Sequence, residues 1–287
     1  MSAERLEDEV ARRTDAFEFG RNWQRYVGTY LDRERLQIAS DSLRELVGEL
    51  AGKTFLDVGS GSGLFSLCAH EAGAAGVVSI DVDPNSVAAT SELRERAGTP
   101  ASWVVREASI LDPGFVAASE RADVVYAWGV LHHTGDMWAA IRNAAELVAP
   151  GGLICIAIYN RVTGRLLDSG RWWKIKRAYN HAPRPVRRLM EAAYFCHWLA
   201  HQLRARRSPV RAAREYKRSR GMALRTDLVD WLGGYPYEYA TADEIVRFCR
   251  DDLGLEVVRV LGNPPTGIGN NQFVFRRPPD PLAREAA

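Results

Sequence analysis

Between Thr54 and Ser66 the chain reads Thr-Phe-Leu-Asp-Val-Gly-Ser-Gly-Ser-Gly-Leu-Phe-Ser. A short apolar run of β type leads into three glycines at alternate positions, and an apolar segment of helical character follows at once. No other stretch constrains the fold as much. A buried strand must turn sharply into a helix there, and glycine tolerates both the turn and a ligand where a Cβ would stand in the way. The first N–H groups of the helix have no intrahelical acceptor, so they favour a polar or anionic ligand group.

The same strand-then-helix order continues downstream. Strand-like runs at Thr54–Val58, Gly76–Ile80, Ser102–Val105, Asp123–Ala127 and Leu153–Tyr159 alternate with helical stretches at Leu64–Ala72, Pro84–Ala97 and Met137–Val148. Such alternation predicts an α/β fold, a doubly wound and mostly parallel sheet with helices on both faces. Before it, residues 1–50 read as an N-terminal helical arm, with Leu36, Leu43, Val47 and Leu50 near helical spacing and an aromatic-rich segment around Trp23. After Tyr159 the alternation stops until Thr241, where Thr-Ala-Asp-Glu has capping-box spacing and opens a helix to Asp252. Strands at Leu255–Leu261 and Gln272–Arg276 complete the pattern. The expected layout is an arm over 1–50, a core over 51–159 and 241–277, a helical insertion over 160–240, and a disordered tail over 278–287.

Two ligand classes use a strand–glycine–helix turn. Dinucleotide binders show G-x-G-x-x-G, whereas Gly59, Gly61 and Gly63 alternate here and Leu64 follows. With Asp57 two residues upstream, this spacing resembles motif I of class I S-adenosylmethionine-dependent methyltransferases. Three further matches follow in order. Asp81 ends the second strand, Glu107-Ala-Ser-Ile-Leu-Asp112 follows the third, and Asp123-Val-Val-Tyr-Ala-Trp-Gly-Val-Leu-His-His-Thr-Gly-Asp136 resembles motif IV of the small-molecule enzymes. The likeness extends to methyltransferases of quinone and natural-product biosynthesis. It implies a Rossmann-like fold with S-adenosylmethionine as cofactor. Asp57, Gly59, Ser60, Gly61 and Gly63 would hold its methionine portion, Asp81 its ribose, Ser109 and Ile110 its adenine, with Val82 and Trp128 also in contact with the cofactor. Asp83 and Asp112, each before a proline, also read as helix-entry or turn residues.

The implied reaction moves a methyl group to O, N or C of a small organic acceptor by in-line displacement, in which positioning supplies much of the rate. A hydroxyl or amine acceptor must also shed a proton. His132 and His133 are the candidates for that task, although adjacent histidines at such a turn also serve simply to orient it. Trp23, Tyr159, Asn160, Asn270 and Asn271 are the candidate substrate contacts. Cys68, Cys155, Cys196 and Cys249 are scattered with no Cys-x-x-Cys pair, so no metal site or disulfide framework is expected.

Charge is unevenly distributed. Residues 160–225 hold 18 Lys and Arg against Asp168, Glu191 and Glu215, a net +15. The remainder of the 38 basic and 36 acidic residues, 20 against 33, gives −13. A basic insertion pairs with the acidic core, forms a solvated face, or meets a partner. The partners weighed are an anionic or carrier-bound small molecule, an anionic membrane met by Trp172, Trp173 and Ile175, and RNA. An RNA methyltransferase and a non-catalytic S-adenosylmethionine-binding accessory protein therefore stand as alternatives. Motif IV lacks the Pro-Pro-aromatic sequence of many base-modifying enzymes, which lowers the RNA reading. No apolar run reaches membrane-spanning length and the N-terminus lacks a signal core, so a cytoplasmic protein, peripheral to a membrane at most, is expected.

Overall fold

The computed structural model describes Gly20 and residues 32–164, 167–212 and 224–280. Trp23, most of the N-terminal arm, the arginine-rich residues 213–223 and the tail from 281 lie outside the described residues. Helix α1 (Arg33–Val47) leads to β1 (Thr54–Val58), α2 (Leu64–Glu71), β2 (Gly76–Asp81), α3 (Pro84–Arg96) and β3 (Trp103–Glu107). Then come α4 (Pro113–Ala118), β4 (Ala122–Trp128), a 3₁₀ turn at Leu131–His133, α5 (Met137–Glu146) and β5 (Val148–Tyr159). The insertion supplies α6 (Ser169–His181), α7 (Arg184–Arg204) and α8 (Leu224–Gly233). The chain ends with α9 (Ala242–Arg247), a π-helical turn at Phe248–Asp252, β6 (Glu256–Leu261) and β7 (Asn270–Arg276).

The seven strands lie in the order β3-β2-β1-β4-β5-β7-β6. The first five pair in parallel, and β7 is antiparallel to both β5 and β6. Strand order reverses between β1 and β4, and open α/β sheets bind ligands outside the carboxyl ends of strands at such a point. Side chains alternate across the sheet as period two requires. Phe55, Val124, Tyr126 and Cys155 pack with α1, α2 and α3 on one face, while Leu56, Val125, Ile154 and Ile156 pack with α5 and α9 on the other.

Two expected boundaries are corrected. Helix α5 stops at Glu146 and β5 starts at Val148, because the register slips between Ala122/Val148 and Val124/Leu153 and lets Pro150-Gly151 bulge out of the pairing. The helix opened by Thr241 keeps α-geometry only to Arg247 before widening into the π turn. Its capping box is present in full, Thr241 accepting from Glu244 N–H and Glu244 from Thr241 N–H. All seven strands lie outside residues 160–240, and α6, α7 and α8 pack on one another around the buried rings of Tyr159, Trp172, Tyr179 and Tyr237.

Candidate functional site

The glycine loop sits at the switch point. Gly59 and Ser60 N–H both donate to Ile80 carbonyl oxygen, at 2.8 and 2.9 Å, which folds the loop back over the end of β2. Gly59 and Gly63 have φ of 71° and 78°, a region side-chain-bearing residues avoid. Space forbids a side chain at both as well. A Cβ on Gly59 would lie 2.4 Å from a methyl of Val130, and one on Gly63 would lie 2.9 Å from Thr90 Cα. The first contact shows how closely the loop after β1 meets the loop after β4. Ser60 turns its hydroxyl to Thr90 Oγ1 at 2.9 Å and so ties the loop to α3.

Asp81 ends β2 and reaches back under the loop. Its Oδ2 accepts from Gly61 N–H and its Oδ1 from Asp83 N–H, both at 2.9 Å. Burial pushes its carboxyl up to about 6, against the pull of those donors. Asp57 lies deeper. Ser66 Oγ donates to its Oδ2 at 2.5 Å, Ser66 contacts Ser79 Oγ at 2.7 Å, and Trp103 Nε1 donates to Ser79 at 2.8 Å. Burial lifts the Asp57 carboxyl to about 7; the Ser66 hydrogen bond opposes that shift and the Asp81 charge adds to it. Asp57 thus braces the loop from beneath through a chain of short side chains. Asp83 caps α3 and Asp112 caps α4, the entry roles their following prolines suggested.

The other cofactor candidates surround this loop unevenly. Val82 is exposed, Ser109 and Trp128 are half-buried, and Trp128 stacks on Tyr126 with centroids 5.6 Å apart. Ser109 Oγ accepts from Leu111 N–H at 3.1 Å. Ile110 belongs to the buried core on the α5 side, and its carbonyl accepts from Asn143 Nδ2 at 2.8 Å.

Beyond β4 the chain makes the 3₁₀ turn that carries both histidines, and the end of the insertion clamps it. Glu238 N–H donates to His132 carbonyl oxygen at 3.0 Å, and the Glu238 carboxylate accepts from Met137 N–H. His133 Nδ1 lies 2.6 Å from Pro236 carbonyl oxygen. A carbonyl only accepts, so Nδ1 carries the proton and Nε2 the lone pair. Burial lowers His133 to about 3 and places His132 well below the usual histidine range, with neighbouring positive charge adding to both effects. Both imidazoles are therefore neutral near pH 7. His132 is fully buried, and neither of its ring nitrogens has a well-formed hydrogen bond among the described residues; the Ala157 backbone beside it opposes the shift only weakly.

Tyr159 stands at the centre of this region, its ring 4.0 Å from that of His132, 5.2 Å from His133, 5.0 Å from Trp231 and 5.2 Å from Tyr237. Asn160 and Asn271 serve a different purpose from the substrate contact expected of them. Asn160 Nδ2 donates to Pro264 and Gly267 carbonyls, and Asn271 Nδ2 donates to Asn160 Oδ1 and Ala240 carbonyl oxygen. Asn271 Oδ1 accepts from Asn263 N–H at 2.8 Å. These buried amides hold the 263–267 loop and the end of the insertion in place. Asn270 Oδ1 is buried without a partner among the described residues.

Trp231, Tyr237 and Lys176 of this cluster escaped the sequence reading, and Lys176 is the most consequential of them. Lys176 is fully buried, with its ammonium 4.3 Å from the centroid of Trp231, 4.8 Å from Tyr237 and 5.2 Å from Tyr159. It donates to Trp231 carbonyl oxygen, and burial lowers it to about 7, with Asp230 opposing. The signal was present in its spacing. Ser169, Trp172, Lys176 and Tyr179 recur at helical intervals and form the buried face of α6. The same observation corrects the membrane reading of this helix. Trp172 lies in the aromatic cluster, with Trp173 and Ile175 packed against it, so the face that would have met lipid is turned inward.

A family model described as a methyltransferase domain matches residues 29–202. The ubiquinone biosynthesis O-methyltransferase of Methylobacterium sp. is 38% identical over 112 residues, covering 39% of this chain and 43% of the relative. The ribosomal protein L11 methyltransferase of Aeromonas hydrophila is 34% identical over 109 residues, 37% of this chain and 36% of the relative. The chain thus spans less than half the length of these curated relatives. A magnesium protoporphyrin IX methyltransferase from Synechocystis, solved with S-adenosylmethionine bound, superposes with a TM-score of 0.50 at 14% identity, covering 89% of each chain. At that identity the likeness concerns the fold.

Proposed function

The chain belongs to the methyltransferase-domain family, and from that premise we propose that it transfers a methyl group from S-adenosylmethionine to a small organic acceptor. The observation that carries this reading is the switch-point constellation. Gly59 leaves no room for a Cβ against Val130, Asp81 stands 20 residues beyond Gly61 and bonds to it, and Trp128 closes β4. A loop this close to the opposing strand end, with a carboxylate at its rim, fits an adenosyl ligand. Asp81 retains lone pairs for ribose hydroxyls, since a carboxylate offers about four acceptor sites. Ser109 and Val82 would flank the base, and the loop backbone would receive the amino-acid portion. When bound, S-adenosylmethionine supplies a methyl group on a positively charged sulfur.

The protein's own residues then have to position the acceptor and manage its proton. Clamped by Pro236, His133 presents Nε2 as its basic atom in a single tautomer. It can orient an acceptor O–H or N–H, but a group lowered to about 3 binds a proton weakly, so positioning carries more of the rate than proton removal does. His132 and Tyr159 form the aromatic floor beneath it. The insertion, whose residues 236–240 are hydrogen-bonded onto this turn and onto Tyr159, acts as a lid over the acceptor. An aromatic and largely dry surround suits a planar acceptor bearing a phenolic oxygen, in line with the O-methyltransferase relative; RNA has no comparable support from these residues.

The test is direct. The protein is incubated with S-adenosylmethionine and a panel of phenols, catechols, amines, peptides and transfer RNA, with S-adenosylhomocysteine followed by mass spectrometry. Turnover stimulated by phenolic acceptors is expected. Stimulation by RNA or peptide alone would overturn the acceptor assignment. Absence of turnover with every acceptor, despite cofactor binding, would favour an accessory role.

A further inference from the structure

Helix α7 turns an apolar face outward. Met190 and Tyr194 pack toward the aromatic cluster and Gln202 is buried, so the opposite side of the helix faces solvent. There Leu189, Ala193, Cys196, Ala200 and Leu203 are all exposed, at intervals of four, three, four and three residues, which places them on one stripe. Leu189 and Leu203 are 69% and 59% exposed. Between residues 189 and 203 the only Asp, Glu, Lys or Arg is Glu191, which accepts from Tyr179 O–H on the inner side. The stripe runs for about 21 Å at 1.5 Å per residue.

Arginines bracket it at both ends. Arg184 and Arg188 stand at the start, and Arg204, Arg206, Arg207 and Arg211 follow the end. All six are exposed, and none forms an ion pair among the described residues. Arg184 and Arg188 also oppose the positive end of the helix dipole, and the first turn holds no acid to offset them. Local helix stability therefore gives no account of this arrangement.

The pattern selects among occupants. A second copy of α7 packed on the stripe would set arginines against arginines, whether the helices ran parallel or antiparallel. RNA would pair with the arginines and leave the leucines in water. A bilayer surface with anionic headgroups satisfies both features, the apolar stripe entering the acyl boundary and the guanidinium groups meeting phosphates. No described helix is long and apolar enough to cross a membrane. We propose that α7 lies along the surface of an anionic membrane through its Leu189–Leu203 stripe, held at both ends by its arginines.

The experiment is co-sedimentation of the full chain with phosphatidylcholine vesicles, with and without phosphatidylglycerol, over a salt series. Two variants are compared, Leu189→Glu with Leu203→Glu, and Arg204→Gln with Arg206→Gln and Arg207→Gln. Circular dichroism and S-adenosylhomocysteine binding, measured on the same preparations, should be unchanged, since these residues lie outside the cofactor site. The expected result is binding to the phosphatidylglycerol vesicles that weakens with salt and falls on the order of tenfold or more in each variant. Three results would overturn the proposal. The wild-type protein fails to bind at low salt, the glutamate variant binds as well as wild type, or light scattering shows a dimer that the glutamate variant dissociates.

Discussion

The glycine-loop cradle and the aromatic cluster beneath the insertion each bury an ionisable side chain, and they hold it in opposite ways. In the cradle, Asp57 is braced by short side chains of Ser66 and Ser79 and by Trp103, all within the first three strands and the helix between them. The Lys176 ammonium is surrounded by rings from Tyr159, Trp231 and Tyr237, with one hydrogen bond to a carbonyl. Directional hydrogen bonds fix the first geometry, while quadrupole attraction and packing shape the second. The difference suits the two tasks proposed for them, the cradle meeting one invariable cofactor and the cluster bordering the acceptor.

The sharpest way to break this contrast is to place a methyl group where the cradle has none. Gly63→Ala combines a φ of 78° with a Cβ 2.9 Å from Thr90 Cα. Backbone strain of this kind costs about 1–3 kcal/mol, and the Thr90 contact adds to it. Urea denaturation should show a loss of that size, with cofactor binding weakened in the same protein. Gly234→Ala beside the cluster would place its Cβ 2.7 Å from His133 Cε1. It would also lie 3.0 Å from Asp230 carbonyl oxygen, but Gly234 has no positive φ to strain, so a smaller stability loss is expected there, with the cost falling on turnover. Equal losses at the two sites would mean that the cradle is no stiffer than the cluster.

The pH dependence of stability separates the regions again. Asp57 keeps its proton to about pH 7 when folded, against 3.8 when unfolded. The folded state thus binds more protons in that window, and stability falls as pH rises through it. Lys176 gives the reverse. Its folded value of about 7 lies below the unfolded 10.5, so the unfolded state binds more protons there and stability climbs from pH 7 toward 10.5. Each slope is at most about 1.4 kcal/mol per pH unit. Thermal melts should show the acid-side slope flattened in Asp57→Asn and the alkaline-side slope flattened in Lys176→Met. Unchanged slopes would show that neither group titrates with folding.

The smallest expected effect lies outside both regions. Thr241→Ala removes half of the capping box that starts α9 and should cost about 1 kcal/mol, read as a modest drop in melting temperature with cofactor binding intact.

The two regions also differ in how far the sequence exposes them. The cradle is legible because its parts are close in the chain and its chemistry is glycine spacing plus a strand-end carboxylate. Its strands and the capping aspartates Asp83 and Asp112 follow from local patterns. The cluster draws on residues 132, 159, 176, 231 and 237, and no local pattern joins a histidine turn to a lysine in a basic helix. Counting Lys176 as one more surface charge hid it, although its spacing with Trp172 and Tyr179 marks a buried face. Asn160 and Asn271 show the opposite effect. Polar residues at strand ends look available for substrate, yet backbone carbonyls of neighbouring loops claim them. The bulge in β5 was equally hidden, because Pro150-Gly151-Gly152 signals a turn without revealing that strand pairing resumes on both sides.

Isothermal titration with S-adenosylhomocysteine tests the central claim most directly, using wild type, Asp81→Asn and NADH as a control ligand. Micromolar binding by wild type is expected, weakened about ten- to hundredfold in the variant by loss of a charged acceptor, with no heat from NADH. Folded protein that ignores S-adenosylhomocysteine, or an Asp81→Asn variant that binds it as tightly as wild type, would contradict the assignment of the glycine loop and Asp81 as the cofactor cradle.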